Sequence, residues 1–343
     1  MTALTLDLVG DINLKRDLQL RAERAFDRVD DDLHRADVRM GNLEGAFYDP
    51  SVELEYKHGW FHLEPEMAAA LQGRFDAVGC ANNVHHGHAI AASLARLDQL
   101  GICHAGAGCT LEEALKPAIF TRHGVRIGLL AFTSVFWPIG HAATESSSGV
   151  ATIKAYTAYE PSPRFVEMPG AAPIIRSWPD ADELSRAEKA VRSLRPSVDV
   201  LVVYCHWGVT GSNDPAEYQR TIGRVLIDAG ANIVAGAHSH QPQPVERYRG
   251  GVIFYSLGNF IFGWRLHRQA TRDGLLARVS LEDGELRTCE LLPVQRTTED
   301  QVTILDAREG EGARIFNLIA DRSRRLGTEL TLSDGAITCG AAS

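Results

Sequence analysis

Short apolar runs recur along this chain, and most end in glycine, asparagine, histidine or an acidic residue. Residues 4–9 are such a run and give way to Gly10-Asp11-Ile12-Asn13. Residues 38–40 lead into Gly41-Asn42-Leu43-Glu44, and residues 75–80 into Asn82-Asn83 followed by His85, His86 and His88. Residues 198–205 end in His206-Trp207-Gly208, and residues 232–235 open onto Gly236-Ala237-His238-Ser239-His240. Short apolar stretches bounded by turn residues predict buried strands. Residues 102–105, 118–121, 125–132, 252–256, 275–280 and 285–293 complete the predicted strands, the last three antiparallel.

Helical spacing fills the intervals. In residues 15–35, Leu18, Ala22, Ala25, Phe26, Val29 and Leu33 recur at helical intervals and predict one helix. Further helices are predicted over 65–72, 89–100, 180–194, 215–229 and 312–325. The fourth of these is expected to start at Asp214-Pro215 with proline at its first position. Residues 137–180 contain six prolines and no sustained period, and are expected to form a long covering loop. Strands alternating with helices early, and antiparallel strands later, predict α/β layers around a mixed sheet or two sheets face to face. The expected division is a catalytic unit over 1–295 and a helical tail over 296–343.

Composition narrows the function. With 343 residues, 45% hydrophobic and 23% charged, the chain reads as an ordinary globular protein. A net charge of −9 argues against nucleic acid, whose phosphates need a basic face. No apolar run is long enough to span a membrane. The N-terminus has neither the charged region nor the apolar stretch of a signal peptide, so a cytoplasmic location is expected. Six cysteines without a CxxC pair are expected as free thiols, several of them buried.

Each polar cluster has an ordinary structural reading. Asp11 can cap a helix, the asparagine pair can form a turn, and His206 can be a hydrogen-bonded core histidine. Their conjunction points further. Asp, Glu, Asn and His on successive strand ends converge on one sheet edge, where open sheets bind ligands. His238-x-His240 can bring two neutral nitrogens to one ion. The mixed N/O set predicts a divalent-cation site, with Ca, Mn, Mg and Zn not distinguished.

Several motifs also carry a resemblance: GDIN, NLE, ANN, HAGAG (104–108), HWG, residues 236–240, QPVE (243–246) and YSLGNFIF (255–262). Together, over residues 4–293, they resemble the CapA family, named for poly-γ-glutamate capsule synthesis and similar to calcineurin-like metallophosphatases. The resemblance implies a four-layer α-β-β-α sandwich of two mixed sheets, with metal ligands at one edge. Carried over by position, the ligands would be Asp11, Glu44, Asn83, His206, His238 and His240. The chain departs from the phosphatase pattern where Asn13 replaces His, and from the family pattern where Val84 and Gly87 replace His and Asp and where Val209-Thr210-Gly211 replaces a segment often containing Glu. Two ions close together need several carboxylates, so these losses favour one ion over two.

The leading expectation is a metal-dependent acid/base enzyme that epimerises the Cα of a C-terminal residue in a ribosomal peptide, as the lasso-peptide branch of the family implies. The alternatives are a CapA-type role in poly-γ-glutamate or capsule synthesis, a metallophosphoesterase, and a metal-stabilised binding protein without catalysis. Inversion needs two proton carriers of near-neutral pKa. His86 and His240 are the candidates, with Asp11 and Asp214 as partners and His206 as an alternate. Trp137 and Tyr156, with Tyr159, Phe165 and Trp178, would line a pocket for a peptide end. Arg164 or Arg265 would pair with its terminal carboxylate.

Overall fold

The structure, a computed structural model, describes residues 3–14, 24–48, 62–87, 89–262 and 272–340. In chain order its main elements are β1 (Ala3–Asn13), β2 (Val38–Leu43), β3 (Ala77–Gly79), α1 (Ala89–Gln99), β4 (Cys103–Ala105), β5 (Ala118–Arg122) and β6 (Val125–Thr133). A hairpin of β7 (Ala155–Glu160) and β8 (Ile174–Pro179) leads to α2 (Ala181–Leu194), β9 (Val200–His206), α3 (Glu217–Asp228) and β10 (Ile233–Ala237). Then come β11 (Val245–Tyr248), β12 (Gly251–Phe254), β13 (Asn259–Phe262), β14 (Asp273–Glu282), β15 (Glu285–Arg296), β16 (Val302–Ile304), α4 (Gly310–Arg324), β17 (Leu330–Ser333) and β18 (Ala336–Cys339).

Two sheets dominate. The ten-stranded sheet runs β17-β18-β15-β14-β1-β2-β3-β4, with β13 beside β1 and β16 beside β15. The six-stranded sheet runs β11-β12-β10-β9-β6-β5. The larger sheet is parallel from β1 through β2 and β3 to its edge at β4 and antiparallel on the other side. The smaller sheet is parallel at its centre and antiparallel at both edges. This is the expected four-layer α-β-β-α sandwich. Alternation along β1 turns Leu4, Leu6 and Leu8 into one apolar core with Met40, Leu129, Val202 and Ala235. A second core lies outside the smaller sheet, where Val191 of α2 and Ile222 and Leu226 of α3 cover Val203 and Val234. Fully burying one such side chain stabilises the fold by roughly 1.5–3 kcal/mol.

Tyr204 pins the two sheets together. It lies on β9 of the smaller sheet, and its hydroxyl donates to the carbonyls of Val9 and Met40, both at 3.0 Å, in the larger one. The carboxyl ends of β1, β2, β9 and β10 therefore meet at one edge.

Several expectations need correction. β1 does not stop at residue 9; a register shift between Leu8 and Asp11 lets the strand continue along β2 and then pair with β13. Gly10 makes this possible, because an added Cβ would collide with the Gly258 carbonyl, which accepts from the Asp11 N–H at 2.9 Å. Of the helix expected over 15–35, residues 15–23 lie outside the described residues, and the remainder holds only a single turn, Asp30–Leu33. That turn is fixed by Arg74, whose guanidinium grips both Asp30 oxygens at 2.6 and 2.7 Å. Residues 65–71 form a 3-10 helix. The covering loop contains the β7–β8 hairpin. Pro215 precedes the cap of α3, Ala216, instead of occupying the first helical position. Beyond residue 295, α4 is accompanied by three strands that join the larger sheet. Among the described residues, no helix is long and apolar enough to cross a membrane.

Candidate metal centre

Register delivers the first donors. Asp11 lies opposite Asn42 of β2 on one side and Asn259 of β13 on the other. Its Oδ1 accepts from the Asn42 amide at 2.8 Å, and its Oδ2 accepts from the His238 backbone N–H at 3.1 Å. Glu44 follows β2 directly. Its backbone is held by the Ile12 carbonyl, at 2.9 Å from the Glu44 N–H, and by the Asn13 side chain, which donates to the Glu44 carbonyl at 2.5 Å. Asn13 thus positions Glu44.

The smaller sheet brings the imidazoles. His206 ends β9, with Asn42 against Nδ1 at 3.1 Å and Asn83 Oδ1 against Nε2 at 3.2 Å. Glu44 Oε1 stands 4.0 Å from the same Nε2. His238 and His240 follow β10. His240 Nδ1 is 3.3 Å from Asp11 Oδ2 and 3.0 Å from Asn259 Oδ1. His238 Nε2 meets the Thr210 hydroxyl at 3.3 Å, and the ring centroids of His206 and His238 are 4.7 Å apart.

His238 has φ 92° and His240 φ 55°. Left-handed backbone at two non-glycine residues costs on the order of 1–3 kcal/mol each and marks sites where surrounding structure over-determines the conformation. Here the Gly211 N–H donates to the Ser239 carbonyl at 2.8 Å, and the Ser239 hydroxyl donates to the Gln241 carbonyl at 2.7 Å. The segment is held so that both imidazoles reach the carboxylates.

Ligand atoms of Glu44, His238 and His240 lie within 4.8 Å of one another, as do those of Asp11, Glu44 and His206. Donors on opposite sides of one ion stand about 4.2 Å apart for bonds near 2.1 Å, so each triad is close to the size of a cation. All five residues are buried. Burial lowers the His240 pKa, but the Glu44 and Asp11 carboxylates, with a hydrogen bond to Asn259, outweigh it and raise the value to about 9. Two carboxylates in this cluster thus attract positive charge. Buried carboxylates, imidazoles and amide oxygens in this arrangement fit a divalent cation.

A family model described as "Bacterial capsule synthesis protein PGA_cap" matches residues 5–264. The chain belongs to this family. Its relatives include the "PGA biosynthesis protein CapA" of Bacillus subtilis (strain 168), 29% identical over 304 residues that cover 85% of this chain and 71% of that protein. The "Capsule biosynthesis protein CapA" of Bacillus anthracis is 27% identical over 310 residues, covering 85% and 67%. A Mycobacterium tuberculosis (strain CDC 1551 / Oshkosh) protein named "Probable polyglutamine synthesis accessory protein" is 28% identical, covering 85% and 73%. The CapA family assignment and its calcineurin-like metallophosphatase fold stand. These relatives favour the capsule-synthesis reading over Cα epimerisation.

The structure brings together Asp11, Glu44, Asn83, His206, His238 and His240. His86 is buried on the loop that carries Asn83, its ring 4.7 Å from that of His141. Asp214 stands apart: its exposed carboxylate pairs with Arg322 of α4 at 3.0 Å, because the turn before α3 faces outward. Arg164 is likewise committed, to Glu167 at 2.5 Å on the exposed connection between β7 and β8. Tyr156 is on β7, with its hydroxyl donating to Asp180 at 2.8 Å and its ring beside Trp178. Trp137 is 43% exposed, and its backbone N–H donates to His141 Nδ1. Arg265 and His88 lie outside the described residues. Sequence reasoning placed Asn42 in the polar cluster with Glu44 without giving it a role, and missed Asn259, Thr210 and His141 as site residues. Asn42 and Asn259 carried a signal, since each ends an apolar run inside a quoted motif.

Proposed function

We propose that the chain is a metal-dependent enzyme of capsule-type polymer synthesis that acts on a peptide or poly-glutamate chain. The observation that supports this best is the convergence, from two sheets, of two carboxylates and three imidazoles, two of them in left-handed backbone. One divalent ion would be held by Asp11, Glu44, His206, His238 and His240, with the Asn83 amide oxygen beside them. When bound, such an ion offsets negative charge that develops on a substrate carbonyl or carboxylate. Asn42 fixes Asp11 and His206 together, and Asn259 fixes His240. Thr210 orients His238. Outer partners of this kind set ring orientation and ligand basicity.

A second reading, Cα epimerisation of a peptide end, is favoured by one observation: imidazoles beyond those needed for ligation. His86, on the loop that carries Asn83, lies with its ring tilted against that of His141, 4.7 Å between centroids. There His86 would carry the proton to or from one face of the substrate Cα.

One experiment separates these readings. The metal-loaded chain is incubated in deuterated water with poly-γ-glutamate oligomers, with peptides, and with generic phosphate esters, each with and without chelator. Chelator-sensitive change in oligomer length supports the first reading. Deuterium at a single Cα without chain-length change replaces it with the second. Phosphate release alone identifies a phosphoesterase and overturns both. Metal binding without turnover of any substrate leaves a binding protein.

A further inference from the structure

Away from the metal centre, two thiols face each other across the larger sheet. β15 and β18 pair antiparallel, with Leu291 opposite Ile337 and Glu290 opposite Thr338. The next step of that register sets Cys289 opposite Cys339, and the two thiols are in hydrogen-bond contact. Opposed residues on antiparallel strands have Cα atoms about 4.5 or 5.5 Å apart. Both spacings fall inside the ~4.4–6.8 Å that a disulfide spans.

A second observation concerns Arg247 of β11. Its Nε and Nη1 are buried with no hydrogen-bond partner among the described residues. Its charge acts on Cys289 in the direction that favours a thiolate. Buried N–H groups without acceptors are costly, so an anion formed beside these two Arg247 nitrogens is stabilised, against the opposing charge of Glu290. The hydrogen bond to Cys339, and then burial, nevertheless hold Cys289 as a thiol, its pKa well above the ordinary value. Cys339 is partly exposed and Cys289 buried, so Cys339 is the sulfur that an external reagent meets.

We propose that Cys289 and Cys339 form a reversible disulfide that fastens the C-terminal strand pair to the larger sheet, with Arg247 supplying the charge that promotes the thiolate. The oxidant is a small disulfide such as oxidised glutathione. The Cys339 thiolate attacks one of its sulfurs, forming a mixed disulfide and releasing one glutathione thiolate. Cys289 then loses its proton and attacks the Cys339 sulfur, closing the protein disulfide and releasing the second glutathione. Two protein thiols are oxidised and one glutathione disulfide is reduced. The closed loop contains α4, where the Ser323 hydroxyl accepts from the Val245 N–H at 3.0 Å, and the Thr328 hydroxyl beyond it, which accepts from the Arg247 N–H at 2.8 Å. Oxidation therefore tightens the support of β11, the strand that begins five residues after His240.

The reduced full-length chain is exposed to oxidised glutathione, quenched with acid, digested with trypsin without reduction, and weighed by mass spectrometry. Fragments 288–296 and 326–343 should appear as one species lighter by two hydrogens than their sum, and dithiothreitol should separate them. The thermal midpoint of the oxidised chain should exceed that of the reduced one. Cys339→Ser should abolish the linkage and leave Cys289 unmodified. Arg247→Gln should slow linkage several-fold, and Arg247→Lys should restore most of the rate. Glutathione on exposed Cys109 while Cys289 and Cys339 stay free overturns the proposal. An unchanged rate in Arg247→Gln overturns the role given to Arg247, and if that variant does not fold, the Lys variant decides.

Discussion

Glu44 is the only residue shared by the two ligand triads, while His238 and His240 belong to one and Asp11 and His206 to the other. Its loss should therefore be felt more than that of any single imidazole. Glu44→Gln keeps the shape but removes the charge, and is expected to weaken divalent-cation binding by at least 100-fold in calorimetric titration. Thr210→Val removes only an outer contact to His238 and should cost about 10-fold. Equal losses would mean that Glu44 is not a ligand. His85, on the neighbouring loop, gives a separate residue-level test. Burial first, and His104 second, push its pKa down to about 3, while in the unfolded chain it is near 6.5. Between those values the unfolded chain binds a proton that the folded chain refuses. The stabilising contribution is complete above 6.5 and is lost as pH falls towards 3, at about 1.4 kcal/mol per pH unit. Urea unfolding at pH 6.5 and 5 should therefore show about 2 kcal/mol of pH-dependent loss that is absent in His85→Gln. An identical pH response in the variant would sink this assignment.

At the level of elements, the site depends on two connections after β9 and β10 that are tied to each other. Gln219 of α3 donates to Gln243 at 3.1 Å, and Gln243 donates in turn to the carbonyls of Ser212 and Asp214 at 3.0 and 3.2 Å. Gln219 and Gln243 are fully buried. This pair holds the turn bearing Thr210 against the segment bearing His238 and His240. Gln243→Leu leaves those carbonyls and the Gln219 amide without their partner, at a cost of about 1–3 kcal/mol. It should lower cation affinity about 10-fold with the circular dichroism spectrum unchanged; unaltered affinity would detach the pair from the metal centre. The strands that carry Asp11, Glu44, His206 and the His238/His240 pair were legible, because short apolar runs ending in polar residues have few other readings. Their extents were not. The bulge that carries β1 past Gly10 depends on Gly258, nearly 250 residues away, and no local pattern encodes that approach. The turn at Asp30–Leu33 looked like part of a longer helix because its apolar spacing is helical, yet a tertiary ion pair with Arg74 fixes it. Asp214 looked like a partner for a histidine because of its neighbours in sequence, but the direction it faces is set by α4, which the local sequence does not contain.

At the scale of the whole molecule, the metal centre joins the two sheets. Asp11 and Glu44 come from the larger sheet, His206, His238 and His240 from the smaller one, and among the described residues the Tyr204 hydroxyl bridges the same sheets deeper in the core. A cation held by both sets should stabilise the folded chain by mass action, by about 2.7 kcal/mol when the free ion is at 100 times its dissociation constant. Chelation should then lower the thermal midpoint by several degrees, and Glu44→Gln should remove that difference. The same linkage fixes the effect of pH. With no cation bound, the two carboxylates keep His240 protonated up to about 9, against the pull of burial. Ligation by its imidazole must expel that proton, so affinity should rise by up to tenfold per pH unit between 7 and about 9 and then level off. Titrations in buffers of different ionisation enthalpy should count close to one proton released per ion at pH 7. In His240→Gln the count should fall towards zero and the pH dependence should flatten. Full proton release in that variant would remove His240 from the ligand set and leave it as a charge partner of Asp11.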